Sequence, residues 1–485
     1  MTKYLFLLLL PFLGYSQKTT LDQRLFTAYD DYKETSIEKR RFKHHDIQPL
    51  IDSVATLKAF EITKLGKSIQ GRSISMISIG DGETDILLWS QMHGDEPTAT
   101  ATIFDIINYF KQDKSLLKNV RVHFIPMLNP DGAEVFSRRN AIGIDINRDA
   151  LRRQSPESKI LKRVRDSLDA DFGFNLHDQS KYYNAKTTEK PATISFLAPA
   201  YNFEKDINQT RGSAMRVIAD MNKVIQRYAR GQVGRYSDEF EPRAFGDNMQ
   251  KWGTSTILIE SGGHFDDPEK QFIRKLNYVS ILSAIEIIST KSYEATTLDQ
   301  YLSIPKNDRK LFDLKIENLS FSYLGLDFKV DIGVNHIEIE NKNHSEFYYL
   351  GKISDVGDLS THYGYETLDA DGYEFKVGET YPKILDDFEA FMNLDFASLL
   401  SQGYTSVSIN EMPNEIKFTP KPINIIDIKK IMIPKNNSIP MSPINIGTEA
   451  TFLLKKNDVV VYAIVNGFIY YLNENKNMVK NGVVK

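Results

Sequence analysis

Residues 91–97, Gln-Met-His-Gly-Asp-Glu-Pro, decide the fold because they join a predicted buried strand to a predicted helix. Upstream, Asp85 to Trp89 is a short apolar run, which is typical of a buried parallel strand. Downstream, Pro97 suits the first position of a helix, and apolar residues then recur at helical spacing. The pattern therefore predicts a strand, a tight turn and a helix.

Two side chains of this stretch are candidate metal ligands. His93 and Glu96 stand three residues apart at a strand end, where both can point into one site. Imidazole and carboxylate are ligands that Zn²⁺ takes in catalytic sites, which need a third protein ligand from elsewhere. Because the motif is short, a turn with a helix-capping acid and a surface histidine is the alternative for these two residues alone.

Length, charge and cysteine content limit the classes of protein. A chain of 485 residues exceeds one ordinary core, which predicts two or three domains. The net charge of -4 and the pI near 6.2 provide no basic field, so no nucleic-acid partner is expected. Beyond the N-terminus no apolar run is long enough for a transmembrane segment. Without Cys, metal ligands must be His, Asp or Glu.

The first 16 residues have the pattern of a secretory signal peptide. Lys3 supplies a positive start, residues 4–13 are apolar, and small residues precede Gln17. We therefore expect cleavage after Ser16 and a secreted or periplasmic protein, with a buried N-terminal helix as the alternative. Residues 17–60 are then predicted to form a polar, helical N-terminal lead-in.

Strands alternate with helices over residues 61–297, which predicts an α/β domain with a mixed, mostly parallel sheet and helices on both faces. Further predicted strands end at His177 and at Glu260. Ligands bind at the carboxyl ends of strands in such sheets, so these side chains are expected near His93. His123, inside a strand, is predicted to be a satisfied core residue. Helices are predicted over residues 156–168, 207–228 and 268–289.

Residues 298–485 are predicted to form one or two β-rich accessory domains. Their β-rich runs are separated by Asn, Asp and Gly turns, with one helix-like piece from Ile384 to Leu400. The β-rich stretches are Phe321 to Val330, Val334 to Glu340, Tyr373 to Val377, Tyr404 to Ile409 and Val459 to Tyr471.

Five motifs follow one another between Glu61 and Ser289. They are His-x-x-Glu at 93–96, Asn-Pro-Asp-Gly at 129–132, Arg-x-Asn-x-x-Gly-x-Asp-x-Asn-Arg at 138–148, a strand-end His at 177 and a strand-end Glu at 260. In this order they resemble the zinc carboxypeptidases of the carboxypeptidase A type. The resemblance implies one Zn²⁺ per chain, bound by His93, Glu96 and His177, with a water in the open position.

The resemblance also implies roles for residues around the metal. Glu260 would be the general base that takes a proton from the zinc-bound water and delivers it to the leaving amine. Arg138 would stabilise the oxyanion, with Arg139 as the alternative one position on. Asn147 and Arg148 would bind the terminal carboxylate of the substrate, for which a guanidinium fork is suited.

The sequence departs from the family pattern at three points. Asp149-Ala150 replaces the usual continuation with an aromatic residue. For the tyrosine that closes over substrate, Tyr236 is the candidate at 24 residues before Glu260, and a solvent-exposed loop tyrosine is the alternative. Phe245 is the candidate for the pocket residue that sets side-chain preference.

The resemblance implies a secreted zinc metallocarboxypeptidase that hydrolyses C-terminal peptide bonds of peptides with a free terminal carboxylate. A murein-peptide or acyl-amino-acid deacylase of the same fold is one alternative. A catalytically inactive zinc-binding module is another, although the presence of both Glu260 and Arg138 argues against it.

Overall fold

The computed structural model describes most of the chain after residue 18. The described residues are 19–342, 344–413, 415–430, 442–472 and 481–485. The predicted signal peptide, residues 1–16, lies outside them. Among the helices of these ranges, none combines the length and the apolar character needed to cross a membrane.

An eight-stranded mixed sheet forms the centre of residues 60–261. The first nine strands are β1 (Phe60–Lys67), β2 (Ser73–Ile79), β3 (Thr84–Trp89), β4 (Val120–Ile125), β5 (Phe172–Asp178), β6 (Asn184–Ala185), β7 (Ile194–Leu197), β8 (Val233–Arg235) and β9 (Ser255–Ser261). All except β6 join the sheet, in the order β1-β2-β4-β3-β5-β9-β7-β8. The central strands β4, β3, β5 and β9 run parallel, and antiparallel pairs flank them. The predicted mixed α/β sheet is confirmed.

Helices cover both faces of this sheet. The first nine are α1 (Leu21–Thr27), α2 (His44–Ala55), α3 (Thr98–Gln112), α4 (Pro130–Glu134), α5 (Pro156–Leu168), α6 (Gln209–Ile225), α7 (Phe245–Lys251), α8 (Gln271–Ser289) and α9 (Leu298–Leu302). Short 3₁₀ turns span Tyr29–Asp31, Ser115–Leu117, Ile146–Arg148, Ser292–Ala295 and Ile428–Lys430. Because successive strand residues point to opposite faces, β3 sends Ile86 and Leu88 into the core under α3, α6 and α8. Leu87 and Trp89 enter the core under α5 and α7.

Helix starts follow side-chain capping. Ser155 caps α5 by accepting from Ser158 N at 3.2 Å, and Pro156 is its first residue, as predicted. In α8 the predicted start at Pro268 is wrong by three residues. There the Asp267 carboxylate accepts from the amide of Gln271 at 2.7 Å and Lys270 takes a φ of 52°, so the helix begins at Gln271.

The N-terminal lead-in contains the helices α1 and α2, and its buried apolar residues belong to the core under α3, α6 and α8. Residues 32–43, between the first 3₁₀ turn and α2, carry no helix. Here Glu34 N donates to the Asp105 carboxylate at 2.7 Å, and Ile37 is buried. These contacts draw the chain across α3 and α8 and thereby interrupt the predicted helix.

The C-terminal β-rich region, residues 307–485, contains most of the remaining strands. They are β10 (Asn307–Asp308), β11 (Leu311–Tyr323), β12 (Leu326–Glu340), β13 (Phe347–Gly357), β14 (Tyr363–Asp369), β15 (Glu374–Lys376), β16 (Glu379–Asp387), β17 (Tyr404–Glu411), β18 (Phe418–Thr419), β19 (Asn424–Asp427), β20 (Phe452–Lys456), β21 (Val459–Val465), β22 (Phe468–Tyr471) and β23 (Gly482–Val483). The main sheet has the order β13-β12-β11-β15-β20-β21-β22, and β14 pairs with β11. Strands β16, β17 and β19 form a second sheet, so the predicted β-rich character is confirmed.

Two of the predicted β-rich stretches, residues 321–330 and 459–471, each contain a hairpin turn between two strands. Between β11 and β12, Leu324 and Gly325 have φ angles of 52° and 79°. Between β21 and β22, Asn466 and Gly467 have φ angles of 52° and 75°. Two successive positive φ angles reverse the chain in a two-residue turn.

The one helix-like piece predicted around Ile384 to Leu400 begins later than predicted and is divided into two helices. Ile384 lies in β16, and two short helices follow, α10 (Phe388–Met392) and α11 (Phe396–Gln402). Asp387 and Asp395 cap them by accepting from Ala390 N at 2.8 Å and Ser398 N at 3.0 Å. Apolar spacing alone predicts one continuous helix in this segment, but the cap inside the segment starts a second helix.

We expect the Asp105–Arg274 ion pair between α3 and α8 to make a dominant contribution to the stability of the core under α3, α6 and α8. Its side chains are 0% and 1% exposed, and the guanidinium contacts both carboxylate oxygens, at 2.5 and 2.7 Å. Asp105→Ala leaves a buried charge unpaired, so the free energy of unfolding should fall by about 3–5 kcal/mol. Urea denaturation measures this. The exposed Asp52→Ala is the control, and an equal small effect of both variants would contradict the prediction.

Candidate metal centre

His93, Glu96 and His177 come together at the carboxyl ends of the central strands. His93 and Glu96 follow β3, and His177 lies near the end of neighbouring β5. Glu96 Oε1 is 2.8 Å from His93 Nδ1, and Glu96 Oε2 is 2.7 Å from His177 Nδ1. The two Nδ1 atoms are 3.1 Å apart. All three residues are buried, and together they could hold a metal ion.

The donor set and its spacing fit zinc. Zn–N and Zn–O bonds of about 2.0–2.2 Å at tetrahedral angles put ligand atoms roughly 3.3 Å apart. The three pairs of atoms here lie 2.7–3.1 Å apart, so a small adjustment suffices. Two imidazoles and one carboxylate are also the protein ligands of a catalytic rather than a closed structural zinc site.

The electrostatics of the cluster follow from burial and mutual contact. Burial lowers the pKa of His177, which favours the neutral imidazole that a metal requires. For His93 burial acts in the same direction, but the charge of Glu96 and hydrogen bonds to Asp145 and Glu96 raise its pKa to about 9. Against the effect of burial, the two histidines hold the pKa of Glu96 well below its usual range. Glu96 is therefore an ionised ligand.

Two motifs shape the turn after β3 by direct backbone contact. A Cβ on Gly94 would lie 2.0 Å from the carbonyl carbon of Gly132, so only glycine allows this approach. Asn129 fixes the partner turn by accepting from Gly132 N at 2.9 Å and donating to Met92 O at 3.3 Å. Asp131 accepts from Gln70 N at 2.9 Å. The Asn-Pro-Asp-Gly motif thus holds the ligand-bearing turn in place.

Asp145 connects a metal ligand to an arginine, a role that the sequence analysis missed. Its Oδ1 is 3.2 Å from His93 Nε2, and its Oδ2 accepts from Arg138 Nε at 3.1 Å. A carboxylate on the outer nitrogen of a ligating histidine fixes the tautomer and orientation of the ring. The signal was present, because Asp145 lies inside the motif at 138–148.

Arg138 reaches the cluster, whereas Arg139 points elsewhere. Arg138 NH1 lies 3.3 Å from Glu96 Oε1 and 3.1 Å from His93 Nδ1. Arg139 NH1 instead donates to the carbonyl of Gly143 at 2.9 Å, on the exposed side of its loop. The geometry therefore favours Arg138 over the alternative one position on.

Glu260 lies on β9 directly beside His177 in the parallel register of β5 and β9. Burial raises the pKa of its carboxyl well above the usual range, and the negative charge of Glu96 adds to this effect. The side chain is thus a carboxyl group next to the candidate ligands, with an unusually high proton affinity.

Asn147 and Arg148 follow Asp145 in the 3₁₀ turn Ile146–Arg148. Asn147 Oδ1 accepts from Phe245 N at 3.0 Å, which fixes the orientation of the amide. Arg148 is partly exposed, and its Nε lies 3.6 Å from Glu241, a carboxylate already held by Arg243 at 2.8 and 3.0 Å. The Arg148 guanidinium also donates to the carbonyl of Asn147 at 3.0 Å, so its contacts are this local hydrogen bond and the longer approach to Glu241.

The structure separates the two remaining candidates. Tyr236 is half-buried, and its ring centroid lies 5.5 Å from that of Tyr183, so a solvent-exposed loop tyrosine is the wrong alternative. Burial and the charge of Glu260 raise the pKa of Tyr236.

The hypothesis that Phe245 lines the substrate pocket is wrong, because its ring is fully buried beside Trp252 in the core under α5 and α7. His123, as predicted, is buried between Ser78 and Asp85 at 2.8 and 2.7 Å.

Two imidazoles and one carboxylate at the strand ends of an α/β domain form a candidate metal centre of the catalytic zinc type. Residues 50–239 match the family model described as zinc carboxypeptidase. The matched segment includes all three candidate ligands. It ends before Glu260.

Curated relatives agree with this family. Carboxypeptidase SOL1 of Arabidopsis thaliana is 29% identical over 182 residues, which is 30% of this chain and 37% of the relative. An uncharacterized protein of Zymomonas mobilis is 28% identical over 226 residues, 45% of this chain and 53% of the relative. The chain thus spans about a third to a half of the length of these relatives.

Two solved structures that match part of this chain have low sequence identity and low TM-scores. One is a metallo-carboxypeptidase from Pseudomonas aeruginosa in complex with (2-guanidinoethylmercapto)succinic acid, with 16% identity, a TM-score of 0.41, and coverage of 52% of this chain and 70% of that chain. The other is bovine thrombin-activatable fibrinolysis inhibitor in complex with tick carboxypeptidase inhibitor, with 14% identity, a TM-score of 0.45, and coverage of 53% and 100%.

We expect His177→Ala to abolish stoichiometric zinc retention, because two protein ligands remain where a catalytic site needs three. Elemental analysis after dialysis against metal-free buffer measures the effect. The exposed His45→Ala should keep the zinc content of the parent protein. Equal zinc in both variants would overturn the ligand set.

Proposed function

We propose that this protein is a zinc metallocarboxypeptidase that hydrolyses the C-terminal peptide bond of peptides with a free terminal carboxylate. One observation carries the proposal. Glu260 and the candidate ligand His177 are register partners on β9 and β5, so a half-buried carboxyl of raised pKa stands on the strand next to the candidate ligands. A carboxyl beside a metal is a suitable general base.

In this proposal each residue has a distinct task. When bound, Zn²⁺ polarises the scissile carbonyl and lowers the pKa of water. Glu260 takes a proton from the attacking water at its carboxylate and passes it to the leaving amine. Arg138, held by Asp145 at 3.1 Å, places positive charge where the oxyanion develops.

Asn147 and Arg148 give the proposed enzyme its preference for chain ends. The amide of Asn147 is oriented by Phe245 N, and Arg148 can turn its guanidinium from a distant contact with Glu241 to a carboxylate. Tyr236 is proposed as the residue that closes over the substrate, supported by its position near Glu260.

The proposal also includes the domain organisation and the cellular location of the protein. We propose a catalytic domain over residues 61–297, preceded by the lead-in and followed by the β-rich accessory part over residues 298–485. Secretion or export to the periplasm rests on the apolar N-terminal pattern alone.

Glu260→Gln should give a folded, zinc-loaded and nearly inactive enzyme. The amide cannot accept the proton, so kcat should fall by about 10²- to 10⁴-fold, the usual contribution of general acid–base catalysis. Release of the C-terminal residue from a peptide library measures kcat, and elemental analysis measures zinc. The exposed Glu61→Gln is the matched control. Retention of more than about a tenth of kcat would place the base elsewhere, and loss of zinc would make Glu260 a ligand.

Arg148→Ala and amidation of the peptide terminus should each weaken catalysis by removing the same contact. Hydrogen bonds to charged groups contribute about 1.5–3 kcal/mol, so kcat/KM should fall by roughly 10- to 150-fold in each case. Combining both changes should add little further loss. The exposed neighbour Arg152→Ala is the control.

The same assays distinguish the alternatives. A parent enzyme that cleaves the amidated peptide as fast as the free acid would be an endopeptidase or a deacylase. Muropeptides and acyl-amino acids therefore belong in the substrate panel. A zinc-loaded parent that is inactive on every substrate would favour the binding-module alternative.

A further inference from the structure

The loop of residues 179–183, which follows the candidate ligand His177, is held by the C-terminal β-rich region. Asp313 on β11 accepts from the Tyr182 hydroxyl at 2.7 Å and from Lys181 Nζ at 2.5 Å. Its side chain is only 10% exposed. One buried carboxylate thus binds two consecutive side chains of the loop.

Asp313 is itself fixed by its own sheet. It accepts from the backbone amide of His336 on β12 at 2.7 Å, and the Tyr182 hydroxyl also lies 3.3 Å from the carbonyl of His336. Burial opposes ionisation, but the contacts with His336 and Lys181 hold the pKa of Asp313 below its usual range. The loop is therefore attached to a rigid, ionised anchor.

A second contact joins the β-rich region to the segments that follow both β5 and β9. The Tyr365 hydroxyl on β14 donates to the Lys181 carbonyl at 2.6 Å. A Cβ on Gly263 would lie 2.2 Å from this hydroxyl oxygen, so Tyr365 also rests against the chain three residues after Glu260. Backbone pairing of β10 with β6 continues the attachment beyond the loop.

The other end of the loop reaches the candidate site. The ring of Tyr183 packs on that of Tyr236, with centroids 5.5 Å apart. Tyr236 follows β8, and its backbone amide donates to Phe196 O at 3.0 Å. Its side chain is hydrogen-bonded to Tyr183. Tyr236 also lies within electrostatic range of Glu260.

We propose that the C-terminal β-rich region completes the active site, with Asp313 and Tyr365 as positioning residues. They hold residues 179–183 so that Tyr183 supports Tyr236 beside Glu260. This inference rests on the proposed peptidase function. It gives the β-rich region a task in catalysis that acts through the loop of residues 179–183.

The first test compares two buried or half-buried carboxylates of the β-rich region. Asp313→Ala should lower kcat/KM by roughly 10- to 100-fold, the range expected when a reacting geometry shifts by about 1 Å, and zinc content should stay unchanged. Asp331→Ala is the matched control. Asp331 accepts from the amides of Asn318 and Leu359 in its own region, at 2.9 and 3.1 Å, so its removal should leave kcat/KM within about two-fold of the parent.

A double-mutant cycle separates positioning from general destabilisation. If Asp313 acts through Tyr183, Asp313→Ala should cost little further activity in a Tyr183→Ala background. Asp313→Asn keeps an acceptor for Tyr182 and should recover part of kcat/KM. If Asp313→Ala fails to fold, Tyr365→Phe, which removes one hydroxyl, takes its place in the double-mutant cycle. Additive losses, or equal losses in Asp313→Ala and Asp331→Ala, would overturn the proposal.

Hydrogen exchange keeps this test separate from the proposed function. Amides of residues 179–183 and of Tyr236 should exchange faster in Asp313→Ala than in the parent and in Asp331→Ala, whatever the substrate. An inactive parent with this exchange pattern removes the peptidase proposal and leaves the attachment of the loop intact. Unchanged exchange in an active parent removes the positioning role alone.

Discussion

Parallel pairing of β3, β5 and β9 is the constraint on which the candidate site depends. Trp89 pairs with Asn175 in β3 and β5, and His177 pairs with Glu260 in β5 and β9. Because side chains alternate along a strand, a slip of one residue would turn either His177 or Glu260 to the opposite face. The buried alternation of β3 between two cores prevents such a slip. Register, set by apolar packing, thereby sets the spacing of the polar groups.

Burying the candidate metal cluster costs free energy, and the surrounding contacts offset that cost. Two imidazole nitrogens only 3.1 Å apart beside a buried carboxylate bring charged and polar groups out of water. Asp145 neutralises part of this charge from the outer side of His93, and the close packing of Gly94 on Gly132 leaves the turn no room to relax. The chain therefore pays in local strain and burial for a preformed ligand geometry.

Local sequence patterns predicted the structural features that depend on neighbouring residues. They failed for features that depend on contacts between residues far apart in the sequence. Strand ends and the ligand motif were visible because each depends on a few adjacent side chains. The hairpin turn at Leu324 was hidden, since an apolar residue occupies a position of positive φ. Phe245 was proposed as a pocket residue from the sequence, but its burial beside Trp252 depends on the core beneath α7. The contact of Asp313 with Tyr182 joins residues 131 positions apart and leaves no local pattern.

The C-terminal β-rich region contributes to contacts with two segments next to the candidate site. The first segment is the loop after His177, which Asp313 and Tyr365 contact. At the second segment, Arg41 of the lead-in lies 4.0 Å from the ring centroid of Phe136 and 4.8 Å from that of Phe347 on β13, and it pairs with Glu338 on β12 at 2.9 Å. Phe136 stands two residues before Arg138. The segment that carries the proposed oxyanion residue is thus stacked, through one arginine, on the same region that holds the loop after His177. A guanidinium between two rings and a carboxylate is a tight, desolvated contact. The lead-in and the β-rich region therefore both contact segments beside the strand ends that carry the candidate site.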